Sequence, residues 1–76
     1  MRQKNPILIE LGGRIREIRK LRGWSQEAFA AQCEIDRSYM GGIERGERNI
    51  TFTMLLQIAR TLNVDAAEIV RSISTS

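Results

Sequence analysis

Between residues 36 and 49 the chain gathers side chains suited to donating hydrogen bonds to an oxygen-rich surface. Asp36-Arg37-Ser38-Tyr39 stands at one end of this stretch, and Arg45 and Arg48-Asn49 stand at the other. The planar fork of arginine donates two parallel hydrogen bonds to a phosphate. It does the same to O6 and N7 of a guanine, where the pair is worth roughly 1–3 kcal/mol of discrimination. Ser38 can donate or accept and is less selective, while Tyr39 suits a phosphate or a thymine methyl. A place in the apolar core is the other reading of Tyr39, and the residue type leaves both open. Arg45, Arg48 and Asn49 follow the last apolar residue of the stretch. Their donors suit the oxygens of a sugar-phosphate backbone, where contacts position a protein without reading sequence; ordinary solvation of a loop is the other reading.

Other chemistries lack their residues. One cysteine and no histidine allow neither a disulfide framework nor a Cys/His zinc site within one chain. Glu10, Glu17, Glu27, Glu34 and Glu47 are scattered, with no histidine or glycine-rich phosphate loop to work with. Gly41-Gly42 falls inside a helical pattern and is no such loop. Cys33, on an apolar face, reads as a small core residue. The expectation is a chain that is not an enzyme and holds neither metal nor cofactor.

Two short helices over residues 25–46 must carry these side chains. Ser25 and Asp36 are good N-caps, because their side-chain oxygens accept from the free amides of a first turn. Ala28, Phe29 and Cys33 share one helical face, and Ile35, Tyr39, Met40 and Ile43 share another. Gly46 fits the left-handed position that closes a helix.

Neither apolar face can be buried without further elements. A first helix is expected from about Leu8 or Leu11 to Arg22, with Leu8, Leu11, Ile15, Ile18 and Leu21 or Arg22 as its stripe. Gly12 and Gly13 each weaken it by about 1 kcal/mol relative to alanine, and Gly23 suits its end. Trp24 is expected over the junction of the first two helices. Thr51 caps a fourth helix with Leu55, Ile58, Ala59 and Leu62 buried and Phe52 and Leu56 beside them; Asn63 and Val64 end it. Asp65-Ala66-Ala67-Glu68 has the form of a capping box, with Val64 and Ile69 at the staple spacing, opening a fifth helix from Ala66 to about Ser72. The tail from Ser72 to Ser76 is expected to fray. The fold is therefore all-α: one compact five-helix domain spanning residues 1–76, with its core at about 8–72.

At 76 residues there is room for one core only. The net charge is +3, and ten of the twelve basic residues are arginine. The N-terminus opens basic and turns apolar, but Glu10 and the following arginines do not fit a secretory signal. No apolar run approaches the roughly 20 residues that cross a bilayer. A soluble, cytoplasmic chain with no membrane partner is expected.

The run Arg14-Ile15-Arg16, Arg19, Gly23-Trp24-Ser25-Gln26-Glu27, Asp36-Arg37-Ser38-Tyr39, Ile43-Glu44-Arg45-Gly46, Arg48-Asn49, Leu55, Ile58-Ala59 and Leu62 resembles the Cro/repressor-type helix-turn-helix family. Residues 36–49 are most similar to the controller proteins of restriction–modification systems. The resemblance implies a lambda-repressor-like fold and a sequence-specific transcriptional regulator of double-stranded DNA, with residues 36–45 as the recognition helix in a major groove. It implies Arg37, Ser38 and Tyr39 as base readers, and a phosphate contact by Gln26. The capping residues Ser25 and Thr51 join Arg45, Arg48 and Asn49 along the DNA backbone. Arg19 and Glu44 match a partly buried family salt bridge. Some members read a base from the position of Gly42, and that reader is missing here. The turn position usually held by glycine is Glu34, at a cost of about 1 kcal/mol if it adopts positive φ.

Two or three base readers are too few for an operator, so a homodimer on a two-fold-symmetric site is expected. Ile69, Val70 and Ile73 are the first candidates for its interface, and Ile7 to Ile9 the second. An activator would also meet RNA polymerase. The alternative is a protein-interaction module, such as an antitoxin whose main partner is another protein. It would need an exposed apolar face or a longer tail than Ser72–Ser76.

Overall fold

The computed structural model describes residues 5–71 and residue 73. Five helices follow one another, with no strand among the described residues: α1 Pro6–Leu21, α2 Gln26–Gln32, α3 Arg37–Glu44, α4 Phe52–Leu62 and α5 Ala66–Val70. None of them is long and apolar enough to cross a membrane. The fraying expected for Ser72–Ser76 falls, apart from Ile73, outside the described residues.

Helix α1 starts two residues before Leu8. The Asn5 side chain accepts from the Ile7 amide at 2.9 Å, and Pro6 occupies the first turn, where its missing N–H costs nothing. The helix runs unbroken through Gly12 and Gly13. Gly12 is buried against α3: a Cβ there would stand 2.1 Å from the Ile43 carbonyl oxygen and 2.7 Å from that of Glu44. A residue that reads as a weakness of α1 is thus the point where two helix backbones meet. Leu21 does not continue the buried stripe and is 80% exposed. It lies about 60° around the helix from Ile18, and no element covers it.

Ser25 caps α2 by accepting from Ala28 at 3.1 Å. The buried residues are Phe29, Ala30 and Cys33, so Ala30 takes the place expected of Ala28, which faces solvent. Burial pushes the Cys33 thiol up, against a smaller opposing effect of Thr61. It stays a neutral core filler.

The turn into α3 carries Glu34 at φ +59°, the left-handed region that disfavours a Cβ. Replacing Glu34 by glycine is expected to raise stability by about 1 kcal/mol, or about 4–8 °C in Tm for a domain of this size. Thermal unfolding checks this, and a lower Tm would mean that the glutamate side chain outweighs the strain.

Asp36 caps α3 through both Ser38 N, at 3.0 Å, and Tyr39 N, at 3.3 Å. Met40 and Ile43 enter the core with Ile15, Ile18, Phe29, Ile58 and Leu62. Gly46 has φ +77°, and a Cβ there would lie 2.6 Å from Ile9 Cα, so both the turn and the approach of α1 require glycine.

Thr51 caps α4, accepting from Met54 at 3.1 Å. Ile58, Ala59 and Leu62 are buried and Leu55 half-buried, whereas Phe52 is 71% exposed. The Gln57 amide donates to the Cys33 carbonyl, tying α4 to the turn between α2 and α3. Asn63 ends α4 in the left-handed conformation at φ +59°. The capping box at Asp65 does not form. Asp65 holds the cap position, but its side chain accepts no bond there; its carbonyl accepts from Glu68 N at 2.9 Å, continuing the helical pattern. Helix α5 then ends at Val70, short of Ser72.

Candidate nucleic-acid interface

An α-helix turns by about 100° per residue, so Ser38, Gly42 and Arg45 lie opposite the buried Met40 and Ile43. Arg37 and Ser38 stand exposed in the first turn of α3. Among the described residues, no carboxylate lies within ion-pair distance of Arg37. Its donors face solvent.

The salt bridge between Arg19 and Glu44 forms, and it is buried on both sides, with side-chain exposures of 8% and 2%. Arg19 Nε donates to Glu44 Oε2 at 2.7 Å, and Arg19 Nη2 donates to Oε1 at 3.0 Å. Arg19 Nη1 also donates to the Trp24 carbonyl at 2.9 Å. The pair therefore fastens α1, the junction before α2, and the end of α3 to one another.

Gln26 joins this network by donating to Glu44 Oε1 at 3.1 Å. Together with Arg16, Gly41, Glu44 and Arg45 it lines an open depression of about 530 Å³. Arg16, which belongs to the run that resembles the family, has no assigned contact in the sequence. Its cue is that it lies three residues before Arg19, one turn back on the same side of α1. Arg45 Nε pairs with Glu47 at 3.2 Å. Ser25 and Thr51 are exposed and use their hydroxyls as caps, and Asn49 is also exposed.

Tyr39 divides between its two readings. It is half-buried against the core, and its hydroxyl donates to the Asn49 carbonyl at 3.0 Å. Its ring lies 5.5 Å from the Arg48 guanidinium carbon, within the range of a cation–π contact. The side chain thus holds the loop after α3 in place. Bare Gly42 faces Arg48 as well: a Cβ there would lie 2.7 Å from Arg48 Cγ.

One interface candidate needs correction. Ile69 is 0% exposed, spent in the core of its own chain, because α5 turns that residue inward against α1 and α4. Val70 is 40% exposed and Ile73 half-buried. Other large apolar side chains at the surface are Ile7, Ile9, Leu21, Phe52 and Leu56. No group of His, Cys, Asp and Glu among the described residues is arranged to hold a metal ion.

Residues 15–69 match the model of a helix-turn-helix family. Control protein C.MunI from Mycoplasma sp is 38% identical over 66 residues, which cover 86% of this chain and 89% of that one. The crystal structure of the restriction–modification controller protein C.AhdI from Aeromonas hydrophila superposes with a TM-score of 0.79 at 42% identity, over 82% of this chain and 94% of that one. The biofilm master regulator SinR, solved in complex with DNA, superposes with a TM-score of 0.74 at 28% identity, over 78% of this chain and 95% of that one.

Proposed function

The chain belongs to the helix-turn-helix family of transcriptional regulators, and from that premise we propose that it regulates transcription as a homodimer bound to a two-fold-symmetric operator. In this reading α3 enters the major groove. Arg37 forks onto a guanine, with Ser38 beside it. The observation that carries the reading is the exposed first turn of α3, where no carboxylate among the described residues pairs with Arg37, on a helix whose other side is locked by Arg19 and Glu44. A helix presented so rigidly fits a groove about 12 Å wide without reordering.

Gln26, Arg45 and Asn49 would lie along the phosphates, with Ser25 and Thr51 close to the same strand. They fix register and supply salt-dependent affinity. Gln26 donates one N–H of its amide to Glu44, and the second N–H of the same group is the one that would reach a phosphate oxygen. The dimer would bury Val70 and Ile73, with Phe52 and Leu56 of α4 in place of Ile69. Control would then come from protein concentration, since half-sites on DNA reward the paired form.

Arg37→Ala is expected to flatten the preference at one base pair per half-site, by about 1–3 kcal/mol, while the rest of the motif stays intact. Binding selections from random DNA with both proteins check this. An equal loss on every sequence would assign Arg37 to the backbone and remove the main reader.

A further inference from the structure

We propose that Arg16, Gln26 and Arg45 close on one and the same DNA phosphate, and that Arg16 supplies the charge that lets this site hold it. The proposal rests on the reading of α3 as the recognition helix, and turns two separate phosphate contacts into one clamp with a third member. Gly12 sets the clamp up. Its missing Cβ brings α1 onto the Ile43 and Glu44 carbonyls, and Arg16 lies one turn further along that side of α1. Arg16 therefore reaches the end of α3, where it lines the depression with Gln26, Gly41, Glu44 and Arg45. Two other side chains meet over Gly41: a Cβ there would lie 3.0 Å from Arg45 Nη1 and 3.6 Å from Gln26 Oε1. The bare backbone of α3 is what lets a guanidinium and an amide come together above it.

Charge decides what the depression takes. Glu44 forms its floor, but that side chain is 2% exposed and receives two bonds from Arg19 and one from Gln26, so its charge is spent inward. Glu47 engages Arg45 through Nε at 3.2 Å, which leaves the two terminal nitrogens of Arg45 as donors. Arg16 is exposed, and among the described residues no carboxylate pairs with it. Setting Arg16, Arg19 and Arg45 against Glu44 and Glu47 leaves a single positive charge in excess. One phosphodiester, with its one negative charge, matches it. Arg45 also belongs to the outward row of Ser38 and Gly42. The depression therefore borders the groove-facing side of α3, where the sugar-phosphate wall of a major groove runs.

The test uses the DNA site selected by the wild-type chain, with its phosphates replaced one at a time by uncharged methylphosphonates. Binding by the wild-type chain, Arg16→Ala, Arg16→Lys, Arg45→Ala and Gly41→Ala is measured across a salt titration. Arg16 and Arg45 are exposed, so their variants keep the fold, while Gly41→Ala favours the helix and displaces only the end of a flexible side chain. Arg16→Ala is expected to weaken every sequence alike, by about five-fold per half-site near physiological salt, and to lower the salt slope by about one per half-site. Arg16→Lys keeps the charge and restores most of that loss. One methylphosphonate position per half-site is expected to weaken the wild-type chain and to cost Arg16→Ala, Arg45→Ala and Gly41→Ala less, at that same position in all three.

The proposal is overturned if Arg16→Ala leaves affinity and salt slope unchanged, or alters the preference at one base pair instead. It is equally overturned if the Arg16 and Arg45 variants lose their sensitivity at different phosphates, which makes them independent contacts. A wild-type chain that selects no motif overturns it differently, by removing the regulator reading on which it rests.

Discussion

Arg19→Ala is expected to lower the unfolding free energy by about 3–5 kcal/mol, the cost of stranding a buried carboxylate. Glu44 is 2% exposed at its side chain and receives both Nε and Nη2 of Arg19. Without them its only remaining partner among the described residues is Gln26, at 3.1 Å. The Trp24 carbonyl loses its donor as well. Domains commonly hold only about 5–15 kcal/mol in total, so the variant should be partly unfolded at physiological temperature. Arg19→Met combined with Glu44→Leu should recover much of the loss, because breaking such a pair costs far more than replacing it with apolar groups. Urea unfolding of the singles and the double closes the cycle. A single-variant loss below about 1 kcal/mol would mean that the pair behaves as a solvent-screened surface contact.

Gly12→Ala comes next in size, at about 3 kcal/mol of destabilisation, the upper part of the range for overpacking. Helix propensity argues the other way, since alanine stabilises a helix interior by about 1 kcal/mol. The distances decide between them. An added Cβ would sit 2.1 Å from the Ile43 oxygen and 2.7 Å from the Glu44 oxygen, and both are backbone atoms that cannot swing aside. Helix α1 would have to lift away from α3, shifting the helix that presents Arg37. Gly13→Ala is the internal control. Nothing lies within 4 Å of its added Cβ, so it should stabilise by about the propensity difference. Equal effects at the two positions in thermal unfolding would contradict the close approach of α1 and α3.

Features that depend on a few neighbouring residues are legible in the chain. Ser25, Asp36 and Thr51 cap the helices they precede, because a cap needs only its own first turn. Glu34 adopts the positive φ of a position the family gives to glycine. Arg19 and Glu44, far apart in sequence, came through resemblance rather than pattern. What escaped depends on distant partners. Helical periodicity sets Gly12 on the flank of the α1 stripe and Gly13 opposite it, but the meaning of Gly12 lies in two carbonyls of α3 that no periodicity reveals. Asp65 has the spacing of a capping box but spends no side-chain bond on it. Ile69 reads as available for a partner from its place near the C-terminus, yet the core closes over it. Leu21 shows the reverse error, an apolar residue near a stripe with nothing to cover it. Tyr39 and Arg48 form a unit across a loop whose course no periodicity reveals.

The most direct test is enrichment of bound fragments from a random DNA pool at near-physiological salt, with the wild-type chain. The predicted product is a two-fold-symmetric motif whose half-site centres lie about one helical turn, roughly 34–36 Å, apart. Salt-sensitive binding with no enriched motif would contradict sequence-specific regulation by α3 and leave only contacts to the phosphate backbone.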